Sequence, residues 1–266
     1  MFPLAHNLLI TRLLANPAYD LAARLSPLQT KLLKVGGIMP DLVSGFGMER
    51  NYGHEMGKAF YQYLAANHPE YCSFGLGMWL HGTDPCGFDY YADEHWQQGP
   101  RGWCFQKCTP YIPRVIKACN LPEKWGLWKG HNFVEMAAEL EAIHAYPNLS
   151  DDLLEARNDH EVIAVVTQLL TEFAEADPTR IPLMVEKVDE IFALKGVTAD
   201  SLAEKYSLQL VNRHQIHGSD VAAMAGIIRD MQAALKEEFW QWLQEVEGLI
   251  QTAISQEHTI LTQKTA

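Results

Sequence analysis

Several features that would point away from an enzyme-like helical protein are missing from this 266-residue sequence. No apolar run approaches the roughly 18 residues a membrane-spanning helix requires, so no transmembrane segment is expected. The opening MFPLAHNLLITRLLA has neither a basic start nor a small-residue cleavage site, which makes the cytoplasm the expected compartment. There is no CxxC pair. The five cysteines, Cys72, Cys86, Cys104, Cys108 and Cys119, are odd in number and irregularly spaced. A zinc ribbon is thereby excluded, and a disulfide framework is not indicated. No Lys/Arg cluster offsets the net charge of -12, so duplex nucleic acid would be repelled at long range and is not an expected partner. Alternating apolar and polar stretches are scarce, which leaves little material for a sheet.

Helical periodicity is what the sequence has in abundance. It predicts helices over 4–15 and 27–35, the second closed by Gly36-Gly37, then a loop through Ile38-Met39-Pro40-Asp41. Further helices are expected over 53–66 and 70–81, the latter apolar on nearly every side and so central. Residues 85–109 are rich in Gly, Trp, Cys and Tyr without helical period, and a long ordered excursion of this kind is often functional. Helices follow over 110–119 and 129–145. After Pro147 the texture becomes rich in Ala, Leu and Glu, with helices expected over 151–176, 181–194, 199–210 and 219–252, the last started by Ser219-Asp220. The fold class is all-α. A soft boundary near Tyr146-Pro147 divides a metal-binding region, 1–147, from a C-terminal helical region, 148–266, which can pack as one domain with the first.

Groups able to ligate metal concentrate in the first region: His6, Asp41, His54, His81, Asp84, Asp89, His95, His131 and Glu135. His131 and Glu135 are four apart in a helical segment, which sets imidazole and carboxylate on one face. His81 and Asp84 close an apolar helix, where an imidazole and an acid are costly unless paired or bound to metal. Asp41 follows Met39-Pro40 in a tight loop, thirteen residues before His54. Each has an ordinary reading as well: a core histidine, a turn-forming Asp, a helix-end His, a hydrogen-bonded His/Glu pair. Together they form a mixed nitrogen and oxygen set that suits zinc, with iron or manganese also possible. His214-x-x-His217 in the second region offers only two imidazoles beside a helix break, too few to hold zinc alone.

In this order the residues resemble the bacterial zinc-dependent phospholipase C family, which shares an all-helical superfamily with fungal single-strand nucleases. The resemblance runs over roughly the first 145 residues. It rests on His6 in the opening helix, the Gly37-Ile38-Met39-Pro40-Asp41 loop, and His54 at the next helix. Gly77-Met78-Trp79-Leu80-His81 with Asp84, and His131-x-x-x-Glu135, complete it. It implies a multi-helix bundle of that type with a C-terminal extension, two or three zinc ions, and one Asp bridging two metals. Family members space the central pair as His-x-x-x-Asp and place a His soon after. Here Asp84 is one residue closer, Asp89 stands near the later position, and His95 follows. The bridging carboxylate is therefore Asp84 or Asp89. The expected activity is hydrolysis of a phosphodiester or phospholipid, with Asp41 orienting or deprotonating the attacking water and the aromatic stretch 96–103 either walling the cleft or packing. The alternative is a non-enzymatic helical protein with a structural or vestigial metal site. The His-Asp dipeptide of another helical phosphohydrolase superfamily is absent.

Overall fold

The computed structural model describes residues 2–18, 21–85 and 87–264, with side chains placed as far as residue 256. Among these residues there are fifteen α-helices and no strand. They are α1 (Pro3–Ala15), α2 (Leu21–Arg24), α3 (Pro27–Gly36), α4 (Arg50–Glu55), α5 (Gly57–Asn67), α6 (Cys72–His81), α7 (Trp103–Cys108) and α8 (Ile112–Cys119). After these come α9 (Gly126–Ala145), α10 (Leu149–Arg157), α11 (His160–Ala174), α12 (Ile181–Glu186), α13 (Val188–Ile191), α14 (Ala199–His214) and α15 (Val221–Lys264). No helix is long and apolar enough to cross a membrane among the described residues.

The apolar helix α6 forms the centre, between α3 and α5. Close approach explains its glycines. A Cβ on Gly77 would meet the Leu33 carbonyl at 2.3 Å, and one on Gly57 would meet the Trp79 backbone at 2.6 Å. Only glycine lets these backbones touch, and the touching sets which loop lies beside the C-terminal end of α6. Helix α1 is buried along most of its length, yet Phe2 gives it no side-chain cap. Instead Glu139 of α9 reaches across, and its Oε1 accepts the Ala5 N–H at 2.6 Å. This fixes the N-terminal turn that carries His6.

Long α15 packs on α9 and α14, and the apolar core runs continuously from Phe2 to Ile250. Trp242 of α15 stacks on Trp103 at 4.7 Å between ring centroids and also meets Trp96 and Phe88. The aromatic stretch therefore packs against the C-terminal helix, and Trp96 and Trp103 are both buried.

Several expected helices divide where local chemistry breaks them. The segment 53–66 becomes α4 and α5, parted at Met56, where Gly57 lets α5 close on α6. The segment 151–176 becomes α10 and α11, because the Asp159 side chain accepts the Glu161 N–H and starts a new helix. The segment 181–194 becomes α12 and α13 and ends at Ile191. The excursion 85–109 holds a π-helical turn at Tyr90–Glu94 and the short α7, which the absence of period did not suggest. Asp220 caps α15 as expected, its Oδ1 accepting the Ala223 N–H at 2.9 Å.

Candidate metal centre

Three histidines converge behind α6. His6 comes from α1, His54 from α4 and His81 from the last position of α6. Their burial is almost complete, His81 being 0% exposed. Two of them have their tautomer fixed by the backbone. His81 Nδ1 lies 2.8 Å from the Gly37 carbonyl, and His54 Nδ1 2.9 Å from that of Arg50. A carbonyl only accepts, so each Nδ1 carries the proton and donates. Each ring thereby turns its Nε2 inward, and neither Nε2 has a hydrogen-bond partner. This is the arrangement that orients metal-ligating histidines. His6 has no hydrogen-bond partner on either nitrogen. Its ring stacks on that of His81 at 3.7 Å. Burial, aided by His81 and opposed by Asp89, pushes its pKa down to about 3, so it is neutral at neutral pH.

Two carboxylates face these rings. Asp89 Oδ1 lies 3.3 Å from His6 Nε2, while its Oδ2 lies 3.3 Å from His81 Nε2 and 3.7 Å from His54 Nε2. Asp41, in a 3₁₀ turn, has Oδ1 3.5 Å from His54 Nε2 and 3.8 Å from Arg50 Nη2. Burial pushes both acids up, yet both are held below the usual carboxylate range, Asp41 by His54, His81 and Arg50, and Asp89 by nearby positive charge that includes His81 and His6, the imidazoles acting this way in their protonated form. A lone pair facing a carboxylate oxygen is repulsive unless a proton or a metal cation lies between them. Ligands of a tetrahedral zinc, at roughly 2.0–2.1 Å from the ion, stand about 3.3 Å apart. The nitrogen–oxygen separations around Asp89 and Asp41 cluster at that edge length. Two triads result, His6/His81/Asp89 and Asp41/His54/His81, with His81 in both.

A second group lies further along. Asp93, on the π-helical turn that follows Asp89, meets Cys104 of α7 and Glu135 of α9, their ligand atoms all within 4.8 Å. Burial, then the charges of Glu135 and Asp89, push Asp93 well above the usual carboxylate value. Burial, then Glu135 and Asp93, push the Cys104 thiol up as well. A bound cation would reverse both pressures. His131 borders the group, with Nε2 4.0 Å from Glu135 Oε1 and Nδ1 without a partner. Burial pushes its pKa down to about 4. Asn132 Nδ2 donates to Glu135 Oε2 at 3.0 Å, and Tyr206 donates to Asn132 Oδ1 at 2.7 Å.

Asp41, Asp93, His131 and Glu135 line a cavity of about 490 Å³. Its lining also includes Arg101, Phe105 and Lys129, with Tyr206, Arg213 and His214 from beyond the expected boundary at Pro147. Lys129 is buried, and its Nζ donates to His214 Nε2 at 2.7 Å and sits 3.7 Å over the Trp128 ring. Burial, then Arg213 and Arg50, push its pKa down to about 8.

Seven of the nine expected residues thus stand in or beside the two groups. Asp84 and His95 do not. Asp84 is half-buried in a turn, its carbonyl accepting the Gly87 N–H at 2.8 Å. Gly87 lies so near Gly82 that a Cβ on it would meet the Gly82 carbonyl at 1.9 Å. The chain thereby folds straight back, and Asp89 rather than Asp84 returns to His81. His95 is exposed just past the π-helical turn. Asp93, Cys104 and Lys129 were not singled out from the sequence. The signal for Asp93 was an acid four residues beyond Asp89 inside an aromatic stretch, and for Cys104 a cysteine next to a tryptophan. His214 ends α14 with its ring on Lys129, while His217 lies in the exposed connection, so the pair does not converge.

Comparisons with protein-family models, with curated protein sequences and with solved structures give no match to this chain.

Proposed function

We propose that the chain is a metal-dependent phosphoric ester hydrolase, similar in chemistry to the zinc-dependent phospholipases C. The observation that carries this reading is the pair of fixed tautomers. His54 and His81 aim unpartnered Nε2 atoms at two buried carboxylates, and this deep set shares Asp41 with a cavity large enough for a small ester. His6, His54, His81, Asp41 and Asp89 would hold one ion or two, and Asp93, Glu135 and Cys104, with His131 beside them, another. The nitrogen-rich set favours zinc. Zinc in such a site supplies Lewis acidity, which acidifies water and neutralises charge on phosphoryl oxygens.

The chain's own residues do the rest. Asp89 presents one oxygen to His6 and the other to His54 and His81, so it, rather than Asp84, would be the carboxylate suited to hold two ions together. Asp41 lies 3.5 Å from His54 Nε2 and lines the cavity, so it would serve as a ligand and would orient or deprotonate water at the cavity floor. Phe105, stacked on His131 at 4.2 Å, keeps one side of that floor apolar and limits water there.

A second reading is favoured by depth. His6, His81 and Asp89 are closed off from solvent, as in structural metal sites. An ion held there would brace α1 against α6, while hydrolysis would belong to the cavity-facing residues. The test uses protein purified without added metal, assayed on bis(p-nitrophenyl) phosphate and on a short-chain phosphatidylcholine before and after chelation. Hydrolysis that chelation abolishes and zinc restores supports the proposal. Zinc present without hydrolysis of either ester leaves the structural reading.

A further inference from the structure

The cavity beside the candidate metal centre carries charge of both signs. Its acidic floor comprises Asp41, Asp93 and Glu135, with Glu94 next to Asp93. Its cationic wall comprises Arg101, Lys129 and Arg213, while Arg50 lines the cavity beside Asp41, in a chain whose net charge is -12. Among the described residues no carboxylate pairs with any of these three. Lys129 is the most informative. At 5% exposure a lysine ordinarily has an acid partner, because burying an unpaired ammonium is costly. Here its close contacts are a histidine nitrogen and the face of Trp128. Arg101 is held in place as well, its guanidinium 4.3 Å over the Phe105 ring that in turn stacks on His131. Arg213 is exposed at the end of α14 and lines the same cavity as Arg101.

We propose that this wall binds a second oxyanion group of the substrate, so that the preferred ester carries a further phosphate or comparable dianion besides the one held on the acidic floor. The inference takes its floor from the hydrolase reading above. Planar guanidinium forks and a lysine ammonium together suit a phosphate dianion. A site that expels water strengthens each such contact. The acidic floor, once it holds divalent ions, no longer repels the rest of the substrate.

Sulfate is the probe for the wall, being a dianion and a poor zinc ligand. Calorimetric titration of the full chain, as purified, should show one site. Lys129→Met, which keeps the apolar stem, and Arg213→Gln, on the surface, should each weaken it by about fivefold or more. Lys236→Met, on the α15 surface beside Glu141, should leave it unchanged. Absence of sulfate binding, or equal binding by all variants, overturns the inference. A substrate pair then separates the wall from free-anion binding: thymidine 5′-(p-nitrophenyl phosphate) with and without a 3′-phosphate. The wild type should prefer the bisphosphate in kcat/KM by about tenfold, and Lys129→Met should lose that preference. Equal turnover of the two esters contradicts the inference even if sulfate binds. Sulfate binding that depends on Lys129 and Arg213, with neither ester cut, leaves the wall standing and removes the hydrolase reading alone.

Discussion

The two ligand groups make opposite demands on a cation. In the deep group, three imidazoles surround two carboxylates that are already held below the usual range. The unmet need there is that of nitrogen lone pairs with nothing to bind. In the second group, two carboxyls and a thiol crowd together, and each of Asp93 and Cys104 is pushed toward its protonated form. The unmet need there is neutralising charge. One metal type could answer both, but the consequences of its absence would differ. Without metal the second group can take up protons and stay folded. The deep group has fewer places for protons, because the Nδ1 protons of His54 and His81 are already donated to backbone carbonyls, His6 is too buried to charge easily, and only the Nε2 atoms facing Asp41 and Asp89 are left to take one.

The sharpest way to break this contrast is His81→Ala. His81 belongs to both deep triads, so the variant should lose at least one metal equivalent. It should also lose on the order of 2–3 kcal/mol of stability, or about 5–10 °C in thermal midpoint, read by elemental analysis and calorimetry. Full metal retention would show that the deep group holds no ion. Glu135→Gln should act differently. It should lower occupancy of the cavity-facing site and abolish hydrolysis, while the deep ion and the melting temperature change little. If Glu135→Gln destabilises as much as His81→Ala, the two groups are one unit and the contrast fails.

A smaller effect concerns Glu139, which braces the helix carrying His6. Burial, against the pull of the Ala5 and Leu4 amides, raises its pKa from 4.5 to about 8. The unfolded chain loses this proton first, so between roughly pH 4.5 and pH 8 the folded state holds more protons and stability falls as pH rises. The cost is absent below that window and constant above it. Glu139→Gln keeps an acceptor for Ala5 and removes the ionisation. It should stabilise by about 1–2 kcal/mol at pH 8 and by almost nothing at pH 4. Denaturation curves at the two pH values check this, and an equal effect at both would contradict it. The smallest effect is expected from Asp84→Ala and His95→Ala, which should leave metal content unchanged; loss of an equivalent in either would mean that the ligand sets are drawn wrongly.

Much of this was legible in the sequence where chemistry is local. His131 and Glu135 share a helix face, His81 ends an apolar helix, and Asp41 sits after Pro40 in a tight turn, as spacing alone implies. The all-helical class followed from periodicity. What was not legible depends on backbones meeting far apart in sequence. The Gly82–Gly87 foldback that replaces Asp84 by Asp89 is a matter of close approach rather than spacing. So is the packing of Trp103 on Trp242, which brings Cys104 toward Glu135 from a stretch with no period. The cationic wall joins Lys129 to Arg213 across 84 positions, and no local pattern links them.

The most direct test of the metal centre is elemental analysis of the chain purified without added metal, paired with its melting temperature before and after chelation. Two equivalents of zinc are predicted, with a melting temperature that falls on chelation and recovers when zinc is returned. No bound metal, together with a melting temperature that neither chelator nor zinc moves, would contradict the assignment of His6, His54, His81, Asp41 and Asp89 as ligands.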